Sequence, residues 1–300
     1  MKVLITGASG FYGWEIVRQM KVCGGFDIVA ASANPAKLKD DANYQGVTLI
    51  SNDMLWNDEA LMKSINVIIH AGFCRESIGE QLMQSLIFSK KLFEQAVKCG
   101  VDGIVNISSQ SVYGSDKDDL PDESGKYAPT YLYALAKSAS ELLLESVVGE
   151  GNTKTFFTNI RLASLVGLSK NVPVNVIYKF VERALENQDL NIQGGQQNFS
   201  FIDVRDAAEA IIKLLFVPAS KWGNAYNLGP EKQTNIVDLA KSVCNYAESV
   251  GKNSKYIIKE EDIYLNTGMS SELLYNTIDW RPRFSIDDIV KSTADYITGK

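Results

Sequence analysis

Short runs of apolar, often β-branched residues recur along the first half of the chain, and stretches of helical spacing separate them. "KVLIT" at 2–6 leads into "FYGWEIVRQMKV", where Phe11, Trp14, Ile16, Val17 and Met20 keep helical spacing until Gly24 and Gly25 end it. "DIVAAS" (27–32), "VTLIS" (47–51), "NVIIHA" (66–71), "GIVNISS" (103–109) and "TFFTNIRL" (155–162) read as further buried strands, with long helical patterns near 76–99 and 130–148. Strands that are apolar throughout, each followed by a helix, predict a parallel sheet covered on both faces.

After Leu162 the rhythm changes. Helical "VIYKFVERALEN", short strands near "LNI" and "FSFIDV", a helix "RDAAEAIIKLLF" and a strand "AYNLG" follow. Helical "NIVDLAKSVCNYA", "SSELLYNTI" and "SIDDIVKSTADYI" complete the tail, with no internal repeat or low-complexity tract.

Bulk properties narrow the function classes. The net charge of −6 over 300 residues, without a long Lys/Arg run, argues against a nucleic-acid surface. Cys23, Cys74, Cys99 and Cys244 form no C-x-x-C pair and read as buried free thiols of a reducing compartment. With His70 as the single histidine, no zinc site of familiar spacing can be assembled, and no metal is expected. No segment reaches the roughly 20 apolar residues of a membrane span, and the N-terminal apolar run is too short for a signal peptide. A cytoplasmic protein without membrane or nucleic-acid partners is expected.

"ITGASGFYGWE" places Gly7, Gly10 and Gly13 between the first strand and the first helix, with a second strand about a dozen residues on. That context predicts dinucleotide binding. Gly7 permits the turn, Gly10 lets backbone approach a pyrophosphate at the helix N-terminus, and Gly13 allows close helix–strand packing. The expected fold is α/β, a Rossmann-like doubly wound parallel sheet over 1–168 to which 199–229 return. Residues 169–198 and 230–300 then form a smaller, interlocked α/β substrate-binding region. At the end of the second strand, where an acidic residue would favour NAD and an arginine NADP, stand Ala31, Ser32, Ala33 and Asn34. Ser32 and Asn34 can bond either ribose, so the cofactor is NAD or NADP.

Tyr133 precedes Lys137 by one helical turn in "PTYLYALAKSASELLL". With the glycines, with "NISSQSVYG" at 106–114 and with "IRLASLVG", "FIDVRDAAEAI", "YNLG" and "DWRPRFSIDD" in order, the chain resembles the extended short-chain dehydrogenase/reductase family, the NAD-dependent epimerase/dehydratase group. The resemblance implies that Ser109, Tyr133 and Lys137 are catalytic. It implies cofactor contacts at Ser9, Phe11, Asp53, Met54, Ala71, Gly72 and Ser108, and substrate contacts at Ser111, Ser164 and Arg205. An unperturbed tyrosine has a pKa of about 10, and the Lys137 ammonium together with a positive nicotinamide ring is expected to lower it.

The departures matter as much. Family dehydratases carry an acid/base pair where this chain has Gln110 and Ser111, which counts against a sugar 4,6-dehydratase. His70 falls on a strand that the fold buries, which leaves simple hydride chemistry. Ser164 replaces an Asn, and Phe199 an Arg, that nucleotide-sugar enzymes of the family often carry. The expected function is an NAD(P)-dependent 4-epimerase or 4-ketoreductase acting on a nucleotide sugar. The alternatives are a carbonyl reductase or alcohol dehydrogenase on a non-nucleotide substrate, and a catalytically silent dinucleotide sensor. By the same resemblance a homodimer pairs through the helices near 76–99 and 130–148, both apolar beyond one narrow stripe.

Overall fold

A computed structural model describes residues 1–115, 120–150 and 154–299. Its first elements are β1 (Lys2–Thr6), α1 (Phe11–Cys23), β2 (Asp27–Ser32), β3 (Thr48–Ser51), α2 (Met54–Asn57), α3 (Glu59–Ser64) and β4 (Val67–His70). Then come α4 (Gly79–Cys99), β5 (Gly103–Ile107), α5 (Leu132–Glu150), β6 (Phe156–Leu162), β7 (Ser164–Val166), α6 (Val176–Leu185) and β8 (Leu190–Gln193). The remainder is β9 (Asn198–Phe199), β10 (Phe201–Asp203), α7 (Val204–Leu214), β11 (Ala225–Leu228), β12 (Thr234–Asn235), α8 (Ile236–Ser249), β13 (Tyr256–Lys259), α9 (Glu272–Ile278) and α10 (Ile286–Thr298).

The central sheet has the order β11-β6-β5-β4-β1-β2-β3. β1 pairs in parallel with β2 on one side (Val3↔Ile28) and with β4 on the other (Val3↔Val67). From β1 the chain winds outward to β3, then returns to β4 and winds the opposite way to β6. The strand order therefore reverses between β1 and β4, and in such sheets ligands bind in the crevice at the carboxyl ends of the strands beside that reversal. Leu4, Val29, Ile68 and Ile104 from the sheet pack with Leu92 and Phe93 of α4 and Leu144 of α5 in one buried cluster. α4 ends as its sequence dictates: Gly100 takes the left-handed conformation, and Val101 N–H closes back on the Ala96 carbonyl.

Two compact units divide the chain. The first comprises Met1–Gly114, Gly125–Leu162 and Ala208–Tyr226; the second comprises Ser115–Ser124, Ala163–Ala207 and Asn227–Lys300. The boundary near Leu162 falls earlier than the expected residue 168, because β7 pairs in parallel with β10 (Ser164↔Phe201) and draws both into the second unit. Ser115 and residues 120–124 join that unit through backbone bonds from Asn266 to Ser115 and from Ser270 to Pro121. Its core gathers Ile177, Phe180 and Val181 of α6, Leu239 and Val243 of α8, and Ile289 and Val290 of α10.

The cysteines depart from expectation. All four are free thiols, but Cys23, in the last turn of α1, is exposed and the other three are only partly covered. Among the described residues no helix is long and apolar enough to cross a membrane, and no group of His, Cys, Asp and Glu could hold a metal ion.

Candidate active site

At the end of β1, Gly7 has φ +67°, and a Cβ there would stand 2.6 Å from Cα and N of Gly72, just past β4. The two strand ends touch backbone to backbone, so only a hydrogen fits. A Cβ on Gly13 would lie 2.3 Å from the Gly7 carbonyl oxygen, so the first turn of α1 rests directly on that loop. Gly10 is the N-cap of α1 and donates its N–H to Gly7 O at 3.0 Å. No side chain caps this helix and its first turn carries no acid, which preserves the positive end that a pyrophosphate requires. Ser9 and Phe11 flank the cap. A dinucleotide fits this cradle.

Around it lie the other expected cofactor residues. Ser32 is buried; its hydroxyl accepts the Asn34 N–H at 3.2 Å and donates to Ser9 Oγ at 3.5 Å, bracing the β2 end against the glycine loop. Asn34 is exposed. Asp53 and Met54 are also exposed at the start of α2, and Asp53 makes no capping bond there. Ala71 donates its N–H to Thr6 O at 3.3 Å, and Gly72 donates to Thr6 Oγ1 at 3.4 Å.

Behind that contact His70, 1% exposed, lies between Thr6 Oγ1 (2.7 Å from Nδ1) and Ser89 Oγ (2.8 Å from Nε2). Ser89 spends its own proton on the Ser85 carbonyl, so Nε2 carries the imidazole proton and Nδ1 accepts from Thr6. Burial, helped by the charge of Lys137, pushes the His70 pKa down to about 3. This histidine is a neutral brace, buried as its strand position predicts.

Ser109 ends the β5 segment in extended conformation and accepts from Ser111 twice, from N–H at 3.2 Å and from Oγ at 2.9 Å. Its hydroxyl lies near enough to the Tyr133 phenol to pull that phenol's pKa down. Tyr133 opens α5 against Phe73, ring centroids 6.4 Å apart and edge to face. Lys137, one turn on, is 4% exposed; its Nζ donates to the Ile107 carbonyl at 2.7 Å and lies 4.0 Å from the Phe73 ring centroid. Burial of the phenol works against the expected lowering of the tyrosine pKa. Burial pushes the Tyr133 phenol up to about 12, with Arg75 and Ser109 opposing it. Lys137 is turned toward Ile107, 5.8 Å from the centroid of the Tyr133 ring, and burial lowers its own pKa to about 7 against the pull of Glu141.

The sequence reading missed a buried cluster directly beneath. Ser108 donates to Glu141, which also accepts from Tyr127 Oη at 2.8 Å and from Arg161 Nε at 3.1 Å and Nη2 at 3.0 Å. Arg161 donates onward to Tyr113 Oη at 2.7 Å. The available signal was the four-residue step Tyr133, Lys137, Glu141 on one helix face.

The remaining expected substrate residues include two in the second unit. Ser164 is exposed on β7. Arg205, expected to meet substrate, is folded back on Asp203 with Nε–Oδ1 at 2.8 Å and Nη2–Oδ2 at 2.7 Å, its plane 3.6 Å from the Phe284 ring centroid. The paired carboxylate satisfies the guanidinium fork, so Arg205 acts as a brace within its own unit. Ser111, in the first unit, is buried beneath Ser109.

Comparison with known proteins gives a family. Residues 3–229 match the model of the NAD dependent epimerase/dehydratase family. The chain is 22% identical to dTDP-D-glucose 4,6-dehydratase of Mus musculus, over 98% of this chain and 88% of that protein. It is 26% identical to a probable UDP-glucuronate 4-epimerase of Rhizobium meliloti, over 79% of this chain and 74% of that protein. Among solved structures, UDP-glucuronic acid 4-epimerase from Bacillus cereus, in complex with UDP-glucuronic acid and NAD, superposes with TM-score 0.81 at 22% identity, over 100% of this chain and 99% of the other. UDP-N-acetylglucosamine 4-epimerase from Bacillus cereus gives TM-score 0.83 at 17% identity, over the whole of both chains.

Proposed function

The chain belongs to the NAD dependent epimerase/dehydratase family, and we propose that it is an NAD-dependent enzyme of nucleotide-sugar metabolism, a 4-epimerase or 4-ketoreductase. The observation that carries this reading is the meeting of Ser109 and Tyr133 beside Lys137 next to the glycine cradle, with Phe73 touching Tyr133 and Lys137 immediately after Gly72.

Gly7, Ser9, Gly10, Phe11 and Gly13 hold the pyrophosphate in this reading, and Ser32, Asn34, Asp53, Met54, Ala71 and Gly72 surround the rest of the cofactor, whereas Ser108, expected there too, is buried and donates to Glu141 instead. Bound NAD supplies reversible hydride acceptance. Tyr133 takes the proton of the substrate hydroxyl while Ser109, its oxygen fixed by Ser111, bonds the same substrate oxygen. Lys137 as a cation stabilises the phenolate and binds the nicotinamide ribose.

The same residues support a limit on the chemistry. Gln110 and Ser111 supply no titrating acid or base for elimination, and His70 is held neutral between Thr6 and Ser89. Both facts favour hydride removal and return at one carbon over dehydration or inversion beside a ketone.

A second reading, reduction of a non-nucleotide ketone or aldehyde, draws on the second unit. Arg205 is closed on Asp203, and Phe199 stacks on Phe201 with centroids 5.2 Å apart where a diphosphate-binding arginine was sought. Incubation with UDP- and dTDP-hexoses, followed by NMR of the sugar C4 proton, separates the two. Interconversion of C4 epimers supports the first reading. Inert sugars together with NADPH consumption on simple carbonyls support the second.

For assembly we propose a homodimer through α4 and α5. Met83 and Ile87 of α4 and Leu132, Leu135 and Leu142 of α5 are each more than half exposed, one to two turns apart along their helices. Apolar stripes of that kind mark a covered surface. Free thiols suit a reducing compartment, and we place the enzyme in the cytoplasm.

A further inference from the structure

We propose that Glu141 is a positioning residue of this site: it fixes the strand end that carries Ser109 and supplies the negative charge that keeps Lys137 a cation. The inference rests on the reading of Ser109, Tyr133 and Lys137 given above.

Glu141 and Arg161 form an ion pair at 3.0 Å with side chains 1% and 6% exposed. Removing two charges from water is costly, and apolar residues of similar volume often serve stability as well. What this pair does beyond stability follows from what it touches. Its four donors, Ser108 Oγ, Tyr127 Oη and two nitrogens of Arg161, come from the end of β5, the approach to α5, and β6. A carboxylate has room for about that many hydrogen bonds, so each donor is held in place.

Ser108 and Ser109 are consecutive residues at a strand end, and Ser109 is extended. Successive side chains there point in opposite directions. Ser108 points to Glu141, and Ser109 therefore points the other way, to Tyr133, two turns earlier on α5. Tying Ser108 down sets the direction of Ser109. Arg161 extends the brace by holding Tyr113, which ends the turn of Gln110–Tyr113 that carries Ser111.

Tyr133 and Glu141 face Lys137 from its own helix, His70 from β4, the Phe73 ring from the loop after β4, and the Ile107 carbonyl from β5. Tyr133 and His70 are neutral near pH 7, for burial pushes one up to about 12 and the other down to about 3. Among these groups Glu141 is the one anion. Arg161 shares its charge, and burial, which weakens the Arg161 cation, is outweighed by Glu141 and Tyr113 together.

The test is the titration of Lys137, followed by NMR of the lysine ε-carbons labelled with carbon-13, in the wild-type chain and in Glu141→Gln. The expected result is a midpoint lower by about one pH unit, a roughly tenfold loss of proton affinity. A midpoint unmoved within about 0.3 units overturns the charge role. Ser108→Ala removes only the tie to the strand end and serves also if Glu141→Gln does not fold. It should lower kcat about tenfold while KM and NAD affinity stay within about threefold, with Ser108→Thr restoring most of the rate. An unchanged kcat in Ser108→Ala overturns the positioning role. The lysine titration needs neither substrate nor cofactor, so it can fail while the enzyme reading stands. That reading fails separately, if Tyr133→Phe turns over normally.

Discussion

His70 offers a sharp physical prediction because the chain contains no other histidine. Its imidazole accepts from Thr6 and donates to Ser89, and burial holds its pKa at about 3 against an ordinary 6.5. Because the folded value is depressed, the unfolded chain takes up the proton first. The stabilisation is whole above about pH 6.5 and drains away as pH falls toward about 3. At about pH 5 the unfolded histidine is protonated and the folded one is not, and each pKa unit is worth about 1.4 kcal/mol. The histidine therefore costs the fold about 2 kcal/mol at that pH relative to neutrality. Urea unfolding of the wild type and of His70→Asn, at about pH 7.5 and about pH 5, isolates this share. The stability advantage of the wild type should shrink by about 2 kcal/mol between the two conditions. In the folded wild type, the imidazole NMR signal should not move between them. An imidazole that titrates near its ordinary value, or an advantage independent of pH, refutes the buried neutral brace.

Other consequences are open to direct measurement. Tyr133→Phe should lower kcat by about a hundredfold to ten-thousandfold, the usual worth of a positioned acid–base group, while calorimetry finds NAD affinity within a few-fold of wild type. Gly13→Ala must force its methyl against the Gly7 carbonyl oxygen, 2.3 Å away, so NAD binding measured by the same titration should fall at least about tenfold. Leu135→Glu places a charge in the exposed stripe of α5, and sedimentation should then report monomers where the wild type reports dimers.

Much of the fold was legible because the strands are apolar throughout and the helices follow at regular intervals. The glycine loop was legible for a steric reason: only glycine tolerates the contacts at positions 7 and 13, so the residue type announces the approach. The short helices α2 and α3 between β3 and β4 were not read, being too brief for a period to show. The pairing of Arg205 with Asp203, two residues away, was not legible, since a position in a motif says nothing about which way the side chain folds. The burial that raises the Tyr133 phenol was not legible, because helical spacing gives proximity to Lys137 but neither burial nor the Ile107 carbonyl that draws the lysine aside. The Glu141 cluster draws on residues far apart in sequence, Ser108, Tyr113, Tyr127 and Arg161, and only the fold brings them together.

If this chain holds NAD in the Gly7–Gly13 cradle for hydride chemistry, mass spectrometry of the small molecules released on gentle denaturation of the purified protein will detect it. NAD should be recovered in near-equal amount with the wild-type chain and lost from Gly13→Ala. A wild-type protein that releases no dinucleotide, and binds neither NAD nor NADPH from solution, would contradict that reading.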